Sequence, residues 1–115
     1  MLEAIFGKPI YEKILFYLIA NEKGYPTQMK EVFSLHLYSV QKALDRLENG
    51  GILVHQKVGK TLLYQFNPRY FFLKELKQLL KKAYSTLPEE QIRKYYCPIK
   101  RTRPRRRGKP PMRDE

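Results

Sequence analysis

The sequence predicts a mostly α fold with a small β-hairpin: a three-helix core, a two-stranded hairpin and a long C-terminal helix. Three observations predict it. Apolar residues recur at helical spacing in residues 9–22, 38–49 and 68–87. Residues 51–68, "GILVHQKVGKTLLYQFNP", place two short alternating runs on either side of Gly59-Lys60, the pattern of a tight hairpin. From Cys97 onward the composition turns to Pro, Arg, Lys and Gly, with almost nothing to bury. The expected organisation is one domain over residues 1–96 and a basic, Pro/Arg-rich disordered tail over residues 97–115.

The first helix is expected over 9–22. Pro9 suits a first helical turn, where its missing N–H costs nothing. Ile10, Ile14, Leu15, Leu18 and Ile19 follow helical spacing, and Tyr11, Phe16 and Tyr17 widen the apolar surface beyond one stripe. Such a helix is buried on more than one side. The preceding "LEAIF" is expected to dock on a neighbour or a second subunit. "KGYP" at 23–26 reads as a break, and Thr27 as the N-cap of a short helix to about residue 33.

Residues 38–49, "YSVQKALDRLEN", form the next expected helix, with Ser39 as its cap. Val40, Leu44 and Leu47 make one inward stripe, and Ala43 lets a neighbouring helix approach. Tyr38, Gln41, Lys42, Asp45, Arg46 and Asn49 face elsewhere. Gly50 is expected to end the helix in the left-handed conformation that glycine tolerates. In the hairpin, Ile52, Val54 and Val58 alternate, as do Leu62, Tyr64 and Phe66, and Gly59-Lys60 fits a type II′ loop. Pro68 is expected to open the last long helix, with an apolar stripe of Phe72, Leu73, Leu76, Leu79, Leu80 and Ala83. Tyr70, Phe71, Phe72 and Tyr84 read as core or subunit interface. A short amphipathic piece from Pro88 to about Tyr96 follows.

Composition narrows the function. The chain has 115 residues, a formal charge of +12 and a single cysteine. Residues 100–115 hold eight Lys/Arg against two acids, while residues 1–99 hold fifteen against nine, so the folded part is basic without its tail. That balance points to a polyanion, nucleic acid first. One cysteine forms no intrachain disulfide, which suits a reducing compartment. The N-terminal apolar stretch is interrupted by Glu12 and Lys13 and lacks a basic start and a cleavage site. No apolar run approaches a membrane span. The expected location is the cytoplasm, on the nucleoid.

The second and third helices are joined by a few residues, as in a helix-turn-helix unit. The second helix of such a unit lies in the major groove, with its outward N-terminal side chains on base edges. Those side chains would be Tyr38, Ser39, Gln41 and Lys42; Gln can read adenine, Lys guanine, and Ser either. Arg46, one turn on, suits phosphate.

"YSVQKALDRLENGGIL" resembles the recognition-helix segment of winged helix-turn-helix bacterial transcriptional regulators, ArsR-like or MarR-like. Ser39, Val40, Leu44, Leu47, Gly51, Ile52 and Leu53 match the form S-V-x-x-x-L-x-x-L-x-x-x-G-[IL]-[LV]. "KVGKTLLYQFNP" is similar to the family's wing, and the resemblance covers roughly residues 5–85. It implies a homodimer on a pseudo-palindromic operator of double-stranded DNA, with the first and last helices as the subunit interface. It also implies a wing whose Lys57 and Lys60 grip the flanking backbone. The sequence departs from ArsR-like metal sensors in lacking their Cys-x-Cys pair. No metal, cofactor or small-molecule ligand is expected.

In the tail, Arg103, Arg105, Arg106, Arg107 and Lys109 interleave with proline and glycine. Arg107-Gly108-Lys109-Pro110 resembles the R-G-R-P core of an AT-hook, with Lys for the second Arg, a segment suited to a narrow A·T-rich minor groove. The plainer reading is a solvated polycation that touches phosphates or RNA.

The sequence holds no nucleophile–base arrangement, Gly-rich phosphate loop or metal motif, so an enzyme is not expected. His36, His55 and Cys97 lack metal-ligand spacing; His36 reads as a turn residue and His55 as a wing-strand residue. The expected function is sequence-specific DNA binding and transcriptional regulation. The alternatives are an architectural or RNA-binding basic protein and a winged-helix protein–protein adaptor.

Overall fold

Residues 2–96 are described by a computed structural model, mostly helical with a small antiparallel sheet. In chain order it comprises α1 (Glu3–Phe6), α2 (Pro9–Asn21), β1 (Lys23–Gly24), α3 (Pro26–Phe33) and α4 (Leu37–Asn49). Then follow β2 (Leu53–Val58), β3 (Thr61–Phe66), α5 (Leu73–Ser85), α6 (Glu89–Gln91) and a π-helical turn, Ile92–Tyr96. The strands form one sheet in the order β1-β3-β2. Cys97 and the basic tail lie outside the described residues, as does the domain boundary expected there.

The centre is α2. Ile14, Leu15, Phe16, Tyr17 and Leu18 are all buried, which a helix achieves only when neighbours cover it all round. α4 lies on one side with Val40, Ala43, Leu44 and Leu47 buried, the inward stripe its sequence predicts. α5 contributes Leu80 and Ala83. The turn after α6 brings Tyr96 against Phe16 and Phe33, with ring centroids 5.6 and 5.8 Å apart, and against Tyr84 at 5.9 Å. Burial pushes the Tyr96 phenol well above the usual tyrosine range. The described residues after α5 thus add Tyr96 to the core.

Several local details correct the sequence expectations. α3 begins at Pro26, and its N-cap is Tyr25 rather than Thr27. The Tyr25 N–H donates to Gln28 Oε1 at 3.0 Å, the backward half of a capping box. α4 begins two residues before Ser39, at Leu37, with His36 as N-cap. Gly50 keeps right-handed geometry, φ −80°, and the left-handed residue is Gly51 at φ +86°. The reason is a Schellman turn: Gly51 N–H donates to Glu48 O at 2.9 Å and Ile52 N–H to Leu47 O at 3.0 Å.

The hairpin closes as expected. Val58 faces Thr61, and Gly59 at φ +63° takes the first loop position. That tight loop fixes the register, which pairs Leu53 with Phe66, His55 with Tyr64 and Lys57 with Leu62. The core-facing residues of β2 are therefore in phase with Leu53, not with Ile52, Val54 and Val58 as the alternation suggested. Only Leu53 of β2 is buried, while β3 buries Tyr64 and Phe66.

"KGYP" holds a strand as well as a break. Lys23 pairs with Gln65 and Gly24 with Tyr64. Gly24 is required there by close approach: a Cβ would stand 2.8 Å from both Met29 Cε and Tyr17 Cε1. After β3, Pro68 does not open a helix. Asn67 donates through Nδ2 to Gly51 O and accepts the Arg69 N–H at Oδ1, both at 2.9 Å. Turns follow through Tyr70 N–H to Asn67 O and Leu73 N–H to Tyr70 O, so α5 starts at Leu73 and ends at Ser85. Among the described residues no helix is long and apolar enough to cross a membrane.

Candidate nucleic-acid interface

The outward face of α4 carries Tyr38, Ser39, Gln41, Lys42, Asp45, Arg46 and Asn49, all exposed. Spacings of four place six of these seven in two rows, Ser39 standing beside the first. Tyr38, Lys42 and Arg46 form one, and Lys42 Nζ lies 5.8 Å from the centre of the Tyr38 ring. Gln41, Asp45 and Asn49 form the other. A row of nine residues is about 12 Å long, close to the width of a B-DNA major groove.

Each row borders its own cleft. A cleft of about 530 Å³ separates α4 from the N-terminal end of α2; Lys8, Lys13, Tyr38, Ser39, Lys42 and Arg46 line it, and no carboxylate does. A second, of about 410 Å³, lies between α4, the start of α3 and the hairpin tip. Its lining includes Tyr25, Thr27, Gln41, Asp45, Lys60 and Tyr64. The structure thus brings Gln41 and Lys60 together around one cleft and places Lys42 with Arg46 around the other. The two flanks differ in charge: four cations unopposed on one side, one cation facing one acid on the other.

The hairpin tip is basic and exposed. Lys57 shares a strand face with Leu62 and Tyr64 through its pairing, but it lies outside the lining of the hairpin cleft. At the hairpin base, His55 Nδ1 is 2.7 Å from Glu48 Oε2, which ties the C-terminal turn of α4 to β2. The His55 ring rests against Tyr64 at 5.5 Å between centroids. Burial, with the nearby Asp45 and Glu48 carboxylates, raises the Tyr64 phenol above its ordinary pKa. Glu48 is therefore a positioning group as well as a helix-face carboxylate. Among the described residues no three His, Cys, Asp or Glu side chains gather as a metal site.

Arg103, Arg105, Arg106, Arg107 and Lys109 lie outside the described residues. Three residues escaped the sequence reading as members of the surface: Lys8, Lys13 and Asp45. Asp45 was visible as an outward helix residue. Nothing in the spacing of Lys8 and Lys13 signals their place, since only the packing of α2 against α4 creates it.

No family model matches this chain, and neither does any curated protein.

Proposed function

We propose that this protein is a sequence-specific DNA-binding regulator of transcription, with α3 and α4 as a helix-turn-helix and β2–β3 as its wing. The observation that carries the reading is the outward face of α4: polar, basic, and continuous with a cleft it shares with the tip lysine, Lys60. α4 enters the major groove, Gln41 meets base edges, and Lys57 and Lys60 rest on the flanking backbone. Asp45, beside Gln41, would repel a phosphate at that point and suits the amino group of cytosine instead. The basic tail extends the contact along the duplex. Two copies bind a pseudo-palindromic operator; α2, expected to share their interface, is already covered within one chain, which leaves α5, whose Leu79 remains exposed, as the helix that meets the partner. Regulation follows by occlusion or recruitment at a promoter in the cytoplasm.

The test is selection from a pool of genomic fragments. A specific regulator prefers its site over bulk DNA at least about a thousandfold. Recovery of no preferred site would leave the architectural or RNA-binding reading in its place. A protein-adaptor reading is favoured by the side chains of Phe71, 87% exposed, and Phe72, 55% exposed, just before α5. Absence of any nucleic-acid binding at low salt would make that reading the leading one.

A further inference from the structure

The wing can grip only one side of a duplex seated on α4. On the opposite side stands the cleft between α2 and α4, where Lys8 and Lys13 face the row of Lys42 and Arg46. Among the described residues none of these four cations makes an ion pair. Like charges so gathered repel one another, and the arrangement is relieved when an anion enters. Lys13 is held in place, since its ammonium lies 5.9 Å from the centre of the Phe33 ring. Tyr38 and Ser39 add hydroxyl donors at the rim. Lys42 and Arg46 are one helical turn apart, about 6 Å, close to two base-pair rises along a strand. The partner this chemistry fits is a run of phosphates, not a single carboxylate.

We infer that the α2–α4 cleft is a second backbone clamp, in which Lys8 and Lys13 join Lys42 and Arg46 on the phosphates of the strand across the groove from the wing. Lys42 and Arg46 then provide grip, and sequence reading falls to Gln41 and Asp45 on the other row. The helix that forms the centre of the core thereby touches the duplex at its N-terminal end. This inference rests on the DNA-binding reading above.

The experiment compares the full chain with a Lys8→Gln/Lys13→Gln variant on the selected operator and on unrelated duplexes over a range of salt. Glutamine keeps the stem of each side chain and removes its charge. Two lost phosphate contacts should flatten the slope of log K against log salt by about 1.8 and weaken binding roughly 60-fold at 0.1 M salt. All sequences should weaken alike, with the preference ratio unchanged. Lys8→Glu, at an exposed position, serves alone if the Lys13 change lowers the melting temperature. Unchanged affinity and slope, alongside a loss in Lys57→Ala/Lys60→Ala, would overturn the clamp and leave the DNA-binding reading standing. If the unaltered protein binds no duplex, that reading falls, and titration with inorganic tripolyphosphate decides the cleft. Binding that Lys8→Gln/Lys13→Gln abolishes would keep it as a site for a free polyphosphate, and no binding would remove it.

Discussion

Gly24→Ala is the sharpest test of how this fold is packed. The added Cβ would meet Met29 Cε and Tyr17 Cε1 at 2.8 Å, and Tyr17 Cδ1 at 3.3 Å. A methionine methyl can usually swing aside, but Met29 and Tyr17 are 0% and 1% exposed, so neither has an empty direction to move in. Overpacking of this kind costs about 1–3 kcal/mol. Against it stands about 0.4–1 kcal/mol from stiffening the unfolded chain, because the Gly24 backbone is not left-handed. The net loss centres on about 1.3 kcal/mol, or a fall in Tm of about 5–10 °C for a domain of this size. Thermal melting followed by circular dichroism would read it. Combining the change with Met29→Ala, which removes one of the two clashing atoms, should cost less than the sum of the single changes. A melting temperature at or above that of the unaltered chain would refute the close-approach explanation of Gly24.

Other outcomes follow from the same contacts. Gly51→Ala should lose about 1–2 kcal/mol because its φ is +86°, whereas Gly50→Ala should stay within about 0.5 kcal/mol; urea melts of both would check the pair. Leu44→Ala, at a fully buried position on α4, should lose about 2–5 kcal/mol by the same assay. The Tyr64 and Tyr96 phenols are held above their ordinary pKa, so their stabilising protons are fully retained below about pH 10. Stability should therefore fall as pH rises past that point, and Tyr96→Phe should lessen the fall in urea midpoints measured from pH 8 upward. Gln41→Ala should relax sequence preference with little change in salt slope, while Lys57→Ala/Lys60→Ala should flatten the slope by about 1.8 for every sequence.

The inward stripe of α4 was legible because Val40, Leu44 and Leu47 repeat at one period over a full helix, and the hairpin because its two-residue loop admits few geometries. Other features depended on distant partners. β1 is two residues long, too short to alternate, and pairs with Tyr64 and Gln65 at a place where Gly24 leaves room for Tyr17 and Met29. Two adjacent glycines at 50 and 51 look alike in sequence; the hydrogen bonds from Gly51 and Ile52 decide between them. Pro68 carries a helix-start signal that the Asn67 side chain overrides. Tyr96 ends the short piece expected to be amphipathic, but its spacing does not show that it closes the aromatic cluster around Phe16. For the interface, the helix face was readable from one element, while the cleft of Lys8 and Lys13 required two.

The sheet has a mechanical consequence. β3 is flanked by β2 along its whole length but by β1 only at Tyr64 and Gln65. The hairpin is thus a beam clamped at one end, with His55 bound to Glu48 near the clamp and the tip carried on a single rung of neighbours. Its stiffness falls from Phe66 toward Thr61, and amide exchange should quicken in that order. On the DNA-binding proposal, the compliant end would follow grooves of different width while the clamped end, tied to α4 through His55 and Glu48, holds its place.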